Sequence, residues 1–126
     1  MGIRTNGQRG RVSVVGMSRE TSGSIEVRKN TALDRFELYV DGQDAGVAQY
    51  QDTANERAFV HTEIYPQFEG LGYGRKLVQG ALDQTLAEGF GILPLCPMVH
   101  HFVESRPDYL SHVPQWSRER LNLPQQ

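Results

Sequence analysis

With one cysteine in 126 residues, Cys96, the chain has no means of forming an internal disulfide, as expected in a reducing compartment. No run approaches the ~20 consecutive apolar residues of a membrane-spanning helix. The N-terminus lacks the apolar stretch of a secretory signal, so a cytoplasmic location and no membrane partner are expected. Charge of one sign is also missing: the net charge is −2, which gives no general reason to bind nucleic acid. Lysine is scarce, with Lys29 and Lys76 the only two beside eleven arginines. What remains, 38% hydrophobic and 22% charged residues, suits one globular domain with a single core.

Residues 1–22 are rich in Gly, Arg, Ser and Thr around one apolar island, Val12 to Val15. They read as a flexible tail or an added edge strand. Arg4, Arg9, Arg11 and Arg19 have no aromatic residue between them, which discounts an RNA-binding arm. From Ile25 the pattern turns to period two: Ile25, Val27 and Lys29, then Phe36, Leu38 and Val40. Asp41-Gly42 is a hairpin turn signal, Ala45 to Tyr50 a third strand, and Arg57 to Tyr65 a fourth. Their short connections predict an antiparallel meander. Leu77, Val78, Ala81, Leu82, Thr85 and Leu86 repeat at three and four, predicting a helix over about 71–88 that Glu88-Gly89 closes. Gly80 inside it is expected to mark close packing on the sheet. Phe90 to Leu95 then reads as a fifth strand, parallel to the fourth because a helix intervenes. A second helix is expected over 98–105, a short turn through Tyr109, and a loose tail or packing arm over 114–126.

The chain is organised around the stretch from Ile64 to Val78, where a strand meets a helix through Gly70, Gly72 and Gly74. The first amides of a helix lack intrahelical acceptors, and the helix dipole places partial positive charge there. Glycines allow an anion to approach such a backbone. The turn is not a P-loop, because no Gly-Lys-Ser/Thr follows.

Pro66-x-Phe68-x-Gly70-x-Gly72-x-Gly74, followed by Lys76-Leu77-Val78, resembles the pyrophosphate-binding turn of the GNAT acetyltransferase superfamily. His61-Thr62 before it and Pro94-Leu95-Cys96-Pro97 after it resemble a short, single-domain branch, over roughly Ile25 to Val113. The resemblance implies a minimal α/β GNAT-like fold over 23–113. That fold is a mixed five-stranded sheet, an antiparallel meander plus one parallel strand, with one long helix and short C-terminal helices. It implies coenzyme A or acetyl-CoA as ligand, held by Ile64, Gly70, Leu71, Gly72, Tyr73, Gly74, Arg75, Lys76 and Cys96. Glu69 departs from the pattern, standing where the superfamily usually has Arg or Gln, and its side chain is expected to point to water. Most members carry two helices between the first two strands. Here about five residues separate Lys29 from Arg35, so the acceptor side is expected to be open, suited to a protein or peptide amine.

An amine of pKa ~10.4 costs roughly 4.6 kcal/mol to deprotonate at pH 7, so a base helps. His61, the histidine nearest the turn in sequence, is a base candidate; its other reading is a histidine bonded within the sheet. Cys96 is an acyl-acceptor candidate or a small residue packing beside the ligand. Tyr109 is a candidate acid toward the leaving thiolate, or a packing residue. His100, His101 and His112 lack the Cys or carboxylate partners of a metal site. Two other functions remain open at this level: a coenzyme A-binding module with little or no catalysis, and a nucleotide-binding protein. The second is disfavoured because no acidic residue stands ready for a ribose.

Overall fold

The computed structural model describes residues 24–125; the expectation for 1–22 lies outside them. Five strands, β1 (Ile25–Asn30), β2 (Arg35–Val40), β3 (Gln43–Asp52), β4 (Glu56–Ile64) and β5 (Gly91–Pro94), form one sheet in that order. The first four are antiparallel and β5 runs parallel to β4, the mixed sheet expected from the spacing. Asp41 (φ 51°) and Gly42 (φ 81°) are both left-handed, as a two-residue hairpin loop between twisted strands requires. Between β1 and β2 the chain makes a single 3-10 turn, Thr31–Leu33, whose Leu33 amide donates to Asn30 Oδ1. No α-helix is inserted there.

The helix α1 (Tyr73–Ala87) carries the crossover from β4 to β5 and buries Leu77, Val78, Ala81, Leu82 and Thr85 along one face. These meet Phe36, Leu38, Phe59 and Ile92, all almost wholly buried, and each such side chain contributes roughly 1.5–3 kcal/mol. Gly80 has a clear cause: a Cβ there would stand 2.6 Å from Val27 Cγ2 on β1. Gln84 Nε2 donates to the Val27 carbonyl beside it at 2.8 Å.

A guanidinium sits inside this core. Arg57 on β4 has no exposed surface and donates to both carboxylate oxygens of Asp52, at 2.7 and 2.9 Å, and to Glu88 at 3.0 Å. Tyr50 and Phe90 lie against it, with ring centroids 4.4 and 4.6 Å away. Burial works against its charge, but the bonds it donates to Asp52 and Glu88 outweigh that and hold its pKa above the usual arginine range. Lys29 reaches the same Glu88 oxygen at 2.8 Å, so β1, β4 and the end of α1 share one ionic knot.

After β5 the chain forms α2 (Pro97–Glu104), α3 (Pro107–Leu110) and α4 (Gln115–Arg120). The His112 carbonyl accepts from the Ile92 amide, covering the free edge of β5. The last segment packs as an arm: Ser117 and Leu123 are buried, and His100 Nε2 donates to the Leu121 carbonyl at 2.7 Å.

Candidate functional site

Two irregularities in the sheet create the site. The ladder between β4 and β5 spans only Glu56↔Gly91 to Phe59↔Pro94 and stops. The Phe59 carbonyl ends it, accepting from the amides of both Leu95 and Cys96 at 3.1 and 2.9 Å. Beyond that point β4 runs on to Ile64 while the chain after Pro94 turns into α2, so the two strands part. The second irregularity is a β-bulge. Tyr50 pairs with Phe59 and Gln49 with His61, leaving Val60 as the extra residue. The bulge resets the side-chain alternation of β4. Phe59 remains in the core, and after it Thr62 and Ile64, rather than His61 and Glu63, point toward α1 and α2.

A cavity of about 480 Å³ opens where the strands part. Its walls come from Thr62, Glu63 and Ile64 of β4, the turn from Phe68 through Gly74 except Leu71, and Met98 of α2. The glycines of the turn have different causes. Gly70 (φ 79°) and Gly72 (φ 82°) are left-handed, and a Cβ at either would meet open space. Gly74 is needed for proximity, since its Cβ would stand 3.0 Å from Met98 Sδ. Gly72 caps α1 without any side-chain bond, so the first-turn amides of the 15-residue helix face the cavity without a capping side chain. Such an end favours an anion. These features fit a diphosphate. Glu69 is exposed, lines the cavity together with Glu63, and makes no ion pair of its own among the described residues.

The residues expected from sequence divide into groups. Ile64, Gly70, Gly72, Tyr73 and Gly74 line the cavity together. Leu71 is 65% exposed on the outside of the turn, and the side chains of Arg75 and Lys76 are on the exposed part of the first helical turn. Cys96 is buried at the N-cap of α2, with Sγ 3.0 Å from Thr62 Oγ1. His61 lies on the opposite face of β4, exposed, with Nε2 donating to Glu63 Oε1 at 3.3 Å. Tyr109 is not brought to the cavity. Its hydroxyl donates to Asp83 at 2.7 Å, nine residues or ~13 Å along α1 from Gly74. Burial and the Asp83 carboxylate raise its pKa to about 12. Thr62, Glu63, Phe68, Glu69 and Met98 line the cavity without being among the expected contacts. Phe68 belongs to the turn motif and could have been read from it, whereas nothing local marks Met98.

Among the described residues no group of three His, Cys, Asp or Glu could hold a metal ion, and no helix is long and apolar enough to cross a membrane. Residues 35–113 match the family model described as GCN5-related N-acetyl-transferase. No curated protein matches the chain.

Proposed function

The chain belongs to the GCN5-related N-acetyltransferase family, and on that footing we propose that it transfers the acetyl group of acetyl-CoA to an amine presented from the uncovered face of the sheet. One observation carries this reading: the glycine turn and the parting of β4 from β5 open into the same cavity. A diphosphate on the turn leaves the attached chain directed into that gap. Acetyl-CoA, when bound, supplies the thioester carbonyl.

The chain's own residues divide the remaining work. The first-turn amides of α1 hold the anionic end. Ile64, Phe68 and Tyr73 supply apolar wall, with Phe68 and Tyr73 packed edge to face at 6.1 Å. Thr62 and Cys96 close the floor of the gap. His61 stands on the face from which an amine would come, its Nε2 engaged by Glu63 and its Nδ1 free to accept a proton. With no helix between β1 and β2, that face admits an extended chain, which supports a protein or peptide amine as acceptor. The transfer is direct, with Cys96 packing rather than carrying the acetyl group.

A second reading, coenzyme A binding with little or no catalysis, draws on one observation: Tyr109 is held by Asp83 away from the gap, leaving no acid beside a leaving thiolate. Incubation with acetyl-CoA and a lysine-containing peptide, followed by mass spectrometry of the peptide, separates the two. Acetylated peptide, reduced about 10²-fold by His61→Asn with cofactor affinity intact, supports transfer. Tight cofactor binding without acetylated peptide supports the second reading. Failure to bind coenzyme A at all overturns both.

A further inference from the structure

A second concavity, of about 170 Å³, lies between α1 and α2 and adjoins the first, with Met98 lining both. We propose that it is a phosphate-monoester subsite that takes the ribose 3′-phosphate of coenzyme A and makes the protein select against the dephospho form. The proposal rests on the cofactor reading above. Its volume is below the ~300 Å³ of a pocket for a whole drug-sized ligand, so it suits a fragment of the cofactor.

The lining has the chemistry such a fragment needs. Arg75 and Arg106 supply donors, and Val78, Met98, His101 and Phe102 supply the rest of the wall. Arg106 is fixed in place: its Nη1 donates to the Phe102 carbonyl at 2.8 Å, and its guanidinium lies 4.0 Å over the Phe102 ring. That leaves Nε and Nη2 without a partner among the described residues. Arg75 likewise has no carboxylate partner among the described residues, where Arg28 and Arg35 each have one and Arg57 has two. Glu104 accepts from His101 Nδ1 at 3.0 Å. Two arginines facing one groove repel each other, and a dianion between them reverses the sign of that interaction. Spacing agrees as well. Gly74 on the turn and Val78 in the groove are one helical turn apart, ~6 Å, the scale of the ribose that separates the 5′-diphosphate from the 3′-phosphate.

The test is titration calorimetry with coenzyme A and dephospho-coenzyme A on the full chain. The native protein is expected to favour coenzyme A by about tenfold or more, a preference that shrinks as salt rises. Arg106→Gln and Arg75→Gln are each expected to lower that ratio at least threefold, with Arg106→Lys falling less than Arg106→Gln. Arg75 is exposed, so its variant carries the test if Arg106→Gln does not fold. Equal affinity of the native protein for the two ligands overturns the subsite, as does a ratio that neither substitution changes. Binding of neither ligand overturns the cofactor reading itself, a result distinct from equal binding of both.

Discussion

Thr62 Oγ1 and Cys96 Sγ meet at 3.0 Å between β4 and the start of α2. The cysteine is buried and its backbone amide is bound to the Phe59 carbonyl, so its sulfur is anchored from both sides. Packing and acetyl transfer give opposite outcomes at this position. With direct transfer, incubation with acetyl-CoA adds no hydroxylamine-sensitive acetyl mass to the protein. Cys96→Ala then keeps most of its turnover and loses roughly 1 kcal/mol of stability from the lost burial. An acetyl thioester on Cys96, formed and consumed at the rate of turnover, would falsify direct transfer.

Gly72→Val is expected to abolish coenzyme A binding while the sheet survives. At φ 82° a β-branched residue is strained by about 1–3 kcal/mol, and the turn must leave its cradle shape to relieve it. Gly74→Asp acts differently, through the 3.0 Å approach to Met98 Sδ and through repulsion of a diphosphate. Calorimetry with coenzyme A, beside circular dichroism for the fold, checks both. A folded variant with native affinity means the anion sits elsewhere.

Gly80→Ala reverses the usual helix expectation. Alanine gains up to about 1 kcal/mol of helix propensity, yet its Cβ would stand 2.6 Å from Val27 Cγ2, which cannot swing away. Net destabilisation by roughly 1–3 kcal/mol is expected from overpacking. Val27→Ala in the same chain should recover part of it, a coupling that urea denaturation of the four variants measures. Additive effects would show that α1 does not press on β1 at this point.

Acid should loosen the knot at Arg57. The bonds from Arg57 and then Lys29 hold the Glu88 carboxyl below its ordinary pKa. A group depressed in the folded state contributes stability that is present above its unfolded pKa and lost as pH falls through the folded one. Stability is therefore expected to fall as pH drops below about 4.5, with a shallower slope in Glu88→Gln. Arg57→Ala should cost about 3–5 kcal/mol at neutral pH, because it leaves Asp52 and Glu88 without their shared cation. Equal pH slopes for the native chain and Glu88→Gln would remove Glu88 from the account.

The strands, the long helix, the order of the sheet and the glycine turn are legible in the residues alone. Period two in Phe36, Leu38 and Val40, and the three-four spacing of Leu77, Val78, Ala81 and Leu82, follow from which face must be buried, so the chain states them locally. The parallel sense of β5 follows from the length of its crossover. Even the short β1–β2 connection was legible, since too few residues lie between for a helix. Which way the site residues point is set by packing between elements. The bulge at Val60 depends on how β3 pairs, and it sends Thr62 toward Cys96 and His61 to the opposite face. Met98 meets Gly74, Asp83 holds Tyr109, and Arg57 is buried whole between partners at positions 52 and 88. Each of those contacts joins residues whose meeting is set by how elements dock, and docking energy is a sum over the whole core that no short stretch carries.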